Sequence, residues 1–442
     1  MRTQSRKVYI QTFGCQMNKL DSELLAGQLR SEGFTMASDP EQADIVLYNT
    51  CSVRENAENR VFSHVGTYRD RAEEDEDFVL GVLGCMAQRL GERIVKRFDH
   101  VKLVAGTRQF LEVPRYLRKI EETGNSVVAT DAEGAVEFSR SPHSRREAHH
   151  AYVSVMRGCD SFCAYCIVPH VRGRETSREP EDVLDEASRL RDDGVRALTL
   201  LGQSINRYGQ DLSCRGSSLP ELLKRLDSVD GIDRLRFVTS HPAHVDEDLL
   251  RAVADCDSVC EYLSMPAQSG SDRVLERMNR GYTIDEYREL VVRARELIGD
   301  VAISSDFIVG FPGETEADFQ ETLDLVRDME FQQSFMFTYS PREGTRAAEW
   351  EDDVPEEVKN DRHRRLMEAQ EAVDERRRRG LIGETLEVMV HRVDDRNKGQ
   401  VKGRTRGNDI VVLEGGPDLV GGMCRARITD STRLTLFGER VS

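Results

Sequence analysis

The sequence predicts an α/β protein in three parts: an N-terminal open parallel α/β domain, a central partial (βα)6 barrel and a small C-terminal antiparallel β-barrel. Three observations carry this. The 442 residues are enough for about three domains at roughly 150 residues each. β-rich runs alternate with helix-period stretches in two successive blocks. Near residue 380 the pattern changes to apolar–polar alternation between Gly- and Asp-rich turns.

In the first block, residues 8–13 (VYIQTF), 45–49 (IVLYN), 78–83 (FVLGVL) and 101–105 read as strands, with helices over 21–32, 55–68 and 88–97. Strand–helix alternation implies a parallel sheet with helices on its faces. Residues 121–150 are polar and unpatterned, so the first domain is expected over 1–120 and a linker over 121–147. The second block, 148–375, offers six strands, at 152–156, 197–201, 234–238, 261–265, 302–309 and 334–339, with helices between them. Six βα units are too few for an eight-fold barrel, so an open partial barrel working at its strand C-termini is expected. Residues 376–442 contain TLEVMVHRV, GQVKGRTR, NDIVVLEG, CRARITDST and RLTLFGER, which read as five strands of a small barrel.

Lys and Arg total 62 against 79 Asp and Glu, a net charge of −17, which excludes a generally basic nucleic-acid coat. The excess is uneven. Residues 376–442 hold 14 Lys and Arg against 9 Asp and Glu, leaving −22 on the rest. Four of these basic residues form the run 376–379, either a solvated helix end or a tail that meets phosphate. No apolar run approaches the roughly 18 to 20 residues that span a bilayer, so no membrane partner is expected. The opening MRTQSRKVYIQTF lacks a secretory h-region, so the expected location is the cytoplasm.

Ten cysteines in a chain without a secretion signal point to metal or redox chemistry rather than disulfides. In RGCDSFCAYCIVPH, Cys159, Cys163 and Cys166 stand at C-x3-C-x2-C spacing directly after a strand. Three such thiolates can hold a four-iron cluster and leave one iron open for a chelating cofactor. The alternative is zinc, with His170 completing a Cys3His site. Cys15, Cys51 and Cys85 each follow a different strand by one or two residues. Strand ends of a parallel sheet share one edge, so these three also converge. The plainer reading is three buried thiols. Cys214, Cys256, Cys260 and Cys424 share no such placement and read as structural or free.

The triple Cys159, Cys163, Cys166 with Tyr165 resembles the signature of the radical S-adenosylmethionine superfamily. Together with FGCQMN at 13–18, NTCSVREN at 49–56, GCMAQR at 84–89 and YCIVPHVRGRETSR at 165–178, it resembles the methylthiotransferases over essentially the whole chain. GCQMN is similar to the tRNA-acting branch; relatives that modify a ribosomal protein more often carry a Pro-Lys pair there. The resemblance implies an N-terminal methylthiotransferase domain, a radical domain and a C-terminal TRAM barrel that grips RNA. It implies a [4Fe-4S] cluster on Cys159, Cys163 and Cys166, whose open iron binds S-adenosylmethionine. It also implies an auxiliary [4Fe-4S] cluster on Cys15, Cys51 and Cys85 that carries or supplies sulfur. A 5′-deoxyadenosyl radical would abstract hydrogen from C2 of an isopentenylated adenosine, position 37 of the tRNA anticodon stem-loop. Sulfur would be inserted there, and a second S-adenosylmethionine would methylate it. An electron donor of flavodoxin or ferredoxin type and a monomeric enzyme complete the expectation.

Polar residues at the expected strand ends include Gln203, Ser240 with His241, Gln268, Asp306 and Tyr339. Gln203, Ser240, Gln268 and Asp306 are the candidates for contacting S-adenosylmethionine; the alternative is that they only satisfy backbone groups. GFPGET at 310–315 reads as turn chemistry rather than a phosphate loop. No Ser-His-Asp or paired-carboxylate arrangement suits acid–base work. Other readings are a methylthiotransferase for threonylcarbamoyladenosine or a ribosomal protein, and a non-catalytic zinc- and RNA-binding protein.

Overall fold

The computed structural model describes residues 5–52, 55–131, 144–145, 147–213 and 217–441. Residues 132–143 and 146 of the expected linker, and Cys214, lie outside these residues. The chain divides into two compact units, Met1–Arg146 with Arg157–Asp160 and Cys166–Thr176, and Glu147–Met156 with Ser161–Tyr165 and Ser177–Ser442.

The first unit is built on six parallel strands: β1 (Lys7–Phe13), β2 (Thr35–Met36), β3 (Ile45–Thr50), β4 (Val79–Gly84), β5 (Val101–Ala105) and β6 (Val127–Ala129). They lie in the order β2-β1-β3-β4-β5-β6. Ile45 and Leu47 pack into the core on one face, and Val46 and Tyr48 into the core on the other. Both faces are covered, which is why β3 and β4 read as unbroken apolar runs. Two expectations are corrected. The segment taken as linker contributes β6, whose three residues are too few to show a period. The helix expected over 88–97 is two short helices, Cys85–Leu90 and Glu92–Arg97, parted at Gly91.

In the second unit, β7 (His150–Ser154) opens the partial barrel. Two-residue strands β8 (Met156–Arg157) and β9 (Thr176–Ser177) bracket the stretch of chain with the clustered cysteines. Then follow β10 (Ala197–Leu201), β11 (Arg234–Val238), β12 (Tyr262–Ser264), β13 (Ala302–Val309) and β14 (Gln333–Thr338). β7, β10 and β11 form one parallel sheet, β12, β13 and β14 another, and the Leu235–Val259 bridge joins them. The six expected βα strands are all present. One continuous apolar core, from Ala151 to Leu366, fills the space between these strands and their helices.

β15 (Thr385–Val393), β16 (Gln400–Thr405), β17 (Ile410–Glu414), β18 (Met423–Ser431) and β19 (Leu436–Val441) close a barrel in the order β15-β16-β17-β19-β18. Every pair is antiparallel except β17 with β19. Five strands cannot alternate direction around a closed ring, so one parallel pair is unavoidable. Outside the barrel, the arginines of the run 376–379 end the helix Glu356–Gly380 and each meets a carboxylate: Glu330, Asp409, Asp374 and Glu375 in turn. The run is a paired helix end, where cations suit the dipole.

Candidate cluster and cofactor sites

β1, β3 and β4 are neighbours, and their register puts Phe13 opposite Thr50 and Thr50 opposite Gly84. Cys15, Cys51 and Cys85 follow this row by two, one and one residues, so all three leave the sheet along one edge. Backbone geometry sharpens the convergence. The Cys51 N–H donates to the Phe13 carbonyl oxygen at 2.9 Å. Cys15 is the N-cap of the helix Gln16–Ser31, and Cys85 opens the helix Cys85–Leu90. Gly84 holds φ +91, and a Cβ there would fall 2.3 Å from Asn49 Oδ1 and 2.9 Å from the Thr50 carbonyl oxygen. Only glycine turns the chain so tightly beside Cys85.

An asparagine pair braces this edge. Asn18 Nδ2 donates to Asn49 Oδ1 at 3.0 Å, Asn49 Nδ2 donates to the Asn18 carbonyl oxygen at 2.8 Å, and the Cys15 thiol donates to Asn18 Oδ1 at 3.2 Å. Beside it lies a buried ionic group that sequence reasoning missed. Asp21 accepts from Arg172 at 3.1 Å and from Arg157 at 2.8 Å, and both Asp21 and Arg172 are buried. Two guanidiniums on one carboxylate leave a net positive charge. The available signal was Asp21 itself, a carboxylate on the inward face of a helix beside Leu20, Leu24 and Leu25.

The electrostatics favour thiolate at Cys15. A hydrogen bond from Cys51 is the chief cause; against desolvation, the Arg172 charge and the Asn18 and Met17 N–H groups add to it and hold the thiol down to about 6. Burial pushes Cys85 up, with Arg172 pulling the other way. Thr50 Oγ1, Ser52 Oγ and Arg172 Nη1 are buried without a hydrogen-bond partner among the described residues. Three thiols, one of them thiolate-prone, with orphaned polar groups beside them fit a sulfur-rich anionic group. Among the described residues no three His, Cys, Asp or Glu side chains form a single-ion cage; a cube asks for a wider triangle, one thiolate on each of three irons.

The C-x3-C-x2-C stretch is fastened within each unit. In the first, the Cys159 N–H donates to the Gly173 carbonyl oxygen at 3.2 Å. In the second, Asn279 Nδ2 donates to the Phe162 carbonyl oxygen at 3.1 Å, and the Ala164 N–H donates to the Met278 carbonyl oxygen at 2.9 Å. Buried Arg280 donates to Cys163 Sγ at 3.3 Å and to the Pro266 carbonyl oxygen at 2.8 Å. Such a donor stabilises a thiolate, and Arg280 is another residue the sequence did not single out.

Gln203 and Ser240 lie two residues beyond the C-terminal ends of β10 and β11, as expected. Gln203 Oε1, Ser204 Oγ, Ser240 Oγ, both ring nitrogens of His241 and the Tyr339 hydroxyl are buried without partners among the described residues. Burial, with Arg280, His244 and Arg207 nearby, holds His241 neutral, down to about 2. This row of unsatisfied donors and acceptors fits a polar cofactor. Buried Gln268 has φ +72 and exchanges backbone hydrogen bonds across β13, donating to the Asp306 carbonyl oxygen at 2.8 Å and accepting from Ile308 at 2.9 Å. Asp306 is the exception, since it stands within β13 rather than at its end. Cys256 and Cys260 are buried, and burial pushes Cys256 up to about 11, the mark of an inert thiol. Cys424 is half-buried in the barrel.

Residues 7–106 match the family described as uncharacterized protein family UPF0004, 153–326 the Radical SAM superfamily and 379–441 the TRAM domain. Curated relatives named tRNA-2-methylthio-N(6)-dimethylallyladenosine synthase run nearly end to end with this chain. The Clostridium botulinum (strain Okra / Type B1) protein is 40% identical over 435 residues, covering 98% of this chain and 96% of its own. The Acetivibrio thermocellus protein is 42% identical over 445 residues, covering 100% and 92%. The chain belongs to the tRNA-2-methylthio-N(6)-dimethylallyladenosine synthase family. Membership of this synthase family brings a [4Fe-4S] cluster and S-adenosylmethionine with the Radical SAM domain. The radical S-adenosylmethionine methyltransferase TsrM from Kitasatospora setae, with cobalamin and a [4Fe-4S] cluster bound, is similar in fold alone. Its TM-score is 0.54 at 16% identity, covering 78% of this chain and 74% of that one. Apo OxsB, a cobalamin-dependent S-adenosylmethionine radical enzyme, gives 0.54 at 12% identity, covering 84% and 56%.

Proposed function

We propose that this synthase-family chain converts N6-isopentenyladenosine at position 37 of tRNA to its 2-methylthio derivative, using two [4Fe-4S] clusters. Cys159, Cys163 and Cys166 hold one cluster, and Cys15, Cys51 and Cys85 the auxiliary one. The single observation that carries the reading is the convergence of three cysteines from three adjacent strand ends beside a net positive buried group. When bound, the clusters supply the electron that cleaves S-adenosylmethionine and a site for the transferred sulfur.

The chain's own residues bind and orient. Gln203, Ser240, Gln268 and Asp306 offer polar contacts to the amino, carboxylate and ribose groups of S-adenosylmethionine. Arg280 donates an N–H to Cys163 Sγ and so helps to hold that side chain in place. His241, neutral by burial, offers a hydrogen bond without a charge. The exposed cations Arg425, Arg427 and Arg440 on β18 and β19 carry no ion pair among the described residues and suit the phosphates of the anticodon stem. No helix among the described residues is long and apolar enough to cross a membrane. We place the reaction in the cytoplasm, carried out by a monomer that takes electrons from a flavodoxin- or ferredoxin-type protein.

Nucleoside analysis of tRNA tests this. In a strain lacking its own synthase, this chain should restore the 2-methylthio derivative, and Cys15→Ala or Cys163→Ala should not. Accumulation of unmodified N6-isopentenyladenosine despite soluble, iron-loaded protein would overturn the assignment.

A further inference from the structure

Arg172 is buried inside the first unit, where charge is costly unless compensated. One of its terminal nitrogens donates to Asp21, and the other, Nη1, has no partner among the described residues. Asp21 is also bonded by Arg157, so Arg172, Arg157 and Asp21 together carry one positive charge beside the three thiols. The Arg172 charge acts on both Cys15 and Cys85.

A buried guanidinium with an unused N–H beside thiols is placed to meet an anionic group. A four-iron cube with three thiolates is anionic in its oxidised form and gains another negative charge on reduction. Net charge and hydrogen bonds to sulfur are among the levers that set the potentials of such clusters.

We propose that Arg172 is the positioning cation of the auxiliary centre, donating Nη1–H to a sulfur atom there and raising the centre's reduction potential, with Asp21 as the opposing charge. The proposal rests on the reading that Cys15, Cys51 and Cys85 hold a cluster. Arg172 touches sulfur rather than the reacting adenosine, so its effect is on how readily the centre accepts an electron.

The test is an EPR-monitored redox titration of the full chain carrying Cys159→Ala, Cys163→Ala and Cys166→Ala, reconstituted without oxygen and reduced with dithionite. Only the auxiliary cluster then gives a signal. Arg172→Met should lower its potential by about 59 mV or more, a tenfold change in the one-electron constant. Asp21→Asn removes the opposing charge and should move the potential up. Arg172→Lys, which keeps the charge and loses the planar fork, should fall between Arg172→Met and the parent. A role in packing alone predicts unmoved potentials, or shifts of one sign in all variants, and either result overturns the proposal. If Arg172→Met loses its iron, the sign of the Asp21→Asn shift still decides. No cluster at all in the parent would remove the two-cluster reading, and the proposal with it.

Discussion

Arg234, fully buried on β11, donates to the Glu387 carboxylate of β15 at 2.9 Å and to the Arg404 carbonyl oxygen of β16 at 2.7 Å. Arg236 donates to the Thr405 carbonyl oxygen at 2.6 Å, and Arg406 returns the contact by gripping Glu261. The barrel is therefore latched to the strands it follows, and deleting it would remove partners from a buried guanidinium. Point changes separate latch from RNA contact. Arg234→Ala should cost about 2–3 kcal/mol through lost packing and unsatisfied carbonyls, seen as a lower Tm. Arg425→Glu with Arg427→Glu should leave Tm in place and weaken tRNA binding, with the log–log salt slope shallower by about 2. An unchanged slope would take β18 out of the RNA contact.

Gly84→Ala should abolish iron binding at the auxiliary site alone. Its Cβ would stand 2.3 Å from Asn49 Oδ1 in a conformation that L side chains rarely adopt. Iron analysis of anaerobically reconstituted protein should fall from about eight to about four per chain. A full complement in a folded variant would show that the Cys85 turn does not shape the site.

Gln203→Ala should weaken S-adenosylmethionine binding by about tenfold, the worth of about one hydrogen bond to a charged or polar group. Calorimetry on the cluster-loaded protein measures it directly. Ser240→Ala should act in the same direction, and unchanged binding by either variant would remove that side chain from the cofactor site.

Much of this arrangement was readable from residue order. The bounds of β5, β10, β11 and β13 match the expected strands. β10 (ALTLL) is nearly all apolar, as a parallel strand covered on both faces should be, whereas β11 and β13 are legible as β-rich runs despite Arg234, Arg236 and Asp306 within them. The helix Gln16–Ser31 starts earlier than the expected 21–32, because its N-cap is Cys15 and not a Ser, Thr, Asp or Asn. The six cysteines stood out because thiols at repeated strand ends have little packing reason to recur. Arg172 did not, since 151 residues separate it from Asp21 and alone it looks like an ordinary surface charge; only Asp21, on the inward face of its helix, hinted at a buried partner. Arg280 and Cys163, 117 residues apart, were hidden for the same reason. What long-range pairing adds is the charge around the thiols, which periodicity cannot report.

Cys15 offers a pH readout on the metal-free protein. Its folded-state pKa, held down to about 6, lies below the ordinary thiol value of about 8.5. The thiolate should dominate above that point, and protonation should set in below it. Alkylation by iodoacetamide, followed residue by residue by mass spectrometry, should therefore rise to half its plateau near pH 6 at Cys15. Cys85, pushed up by burial, should need a higher pH than a free thiol. Equal profiles at the two sites would contradict the electrostatic account.

Mössbauer spectroscopy with iron and sulfide analysis, on oxygen-free reconstituted protein and its two triple-alanine variants, tests the core of the account most directly. The prediction is about eight irons in two four-iron cubes, with about four retained when either Cys15, Cys51 and Cys85 or Cys159, Cys163 and Cys166 are replaced. A single cube in the unaltered chain, or one that survives both replacements, would contradict it.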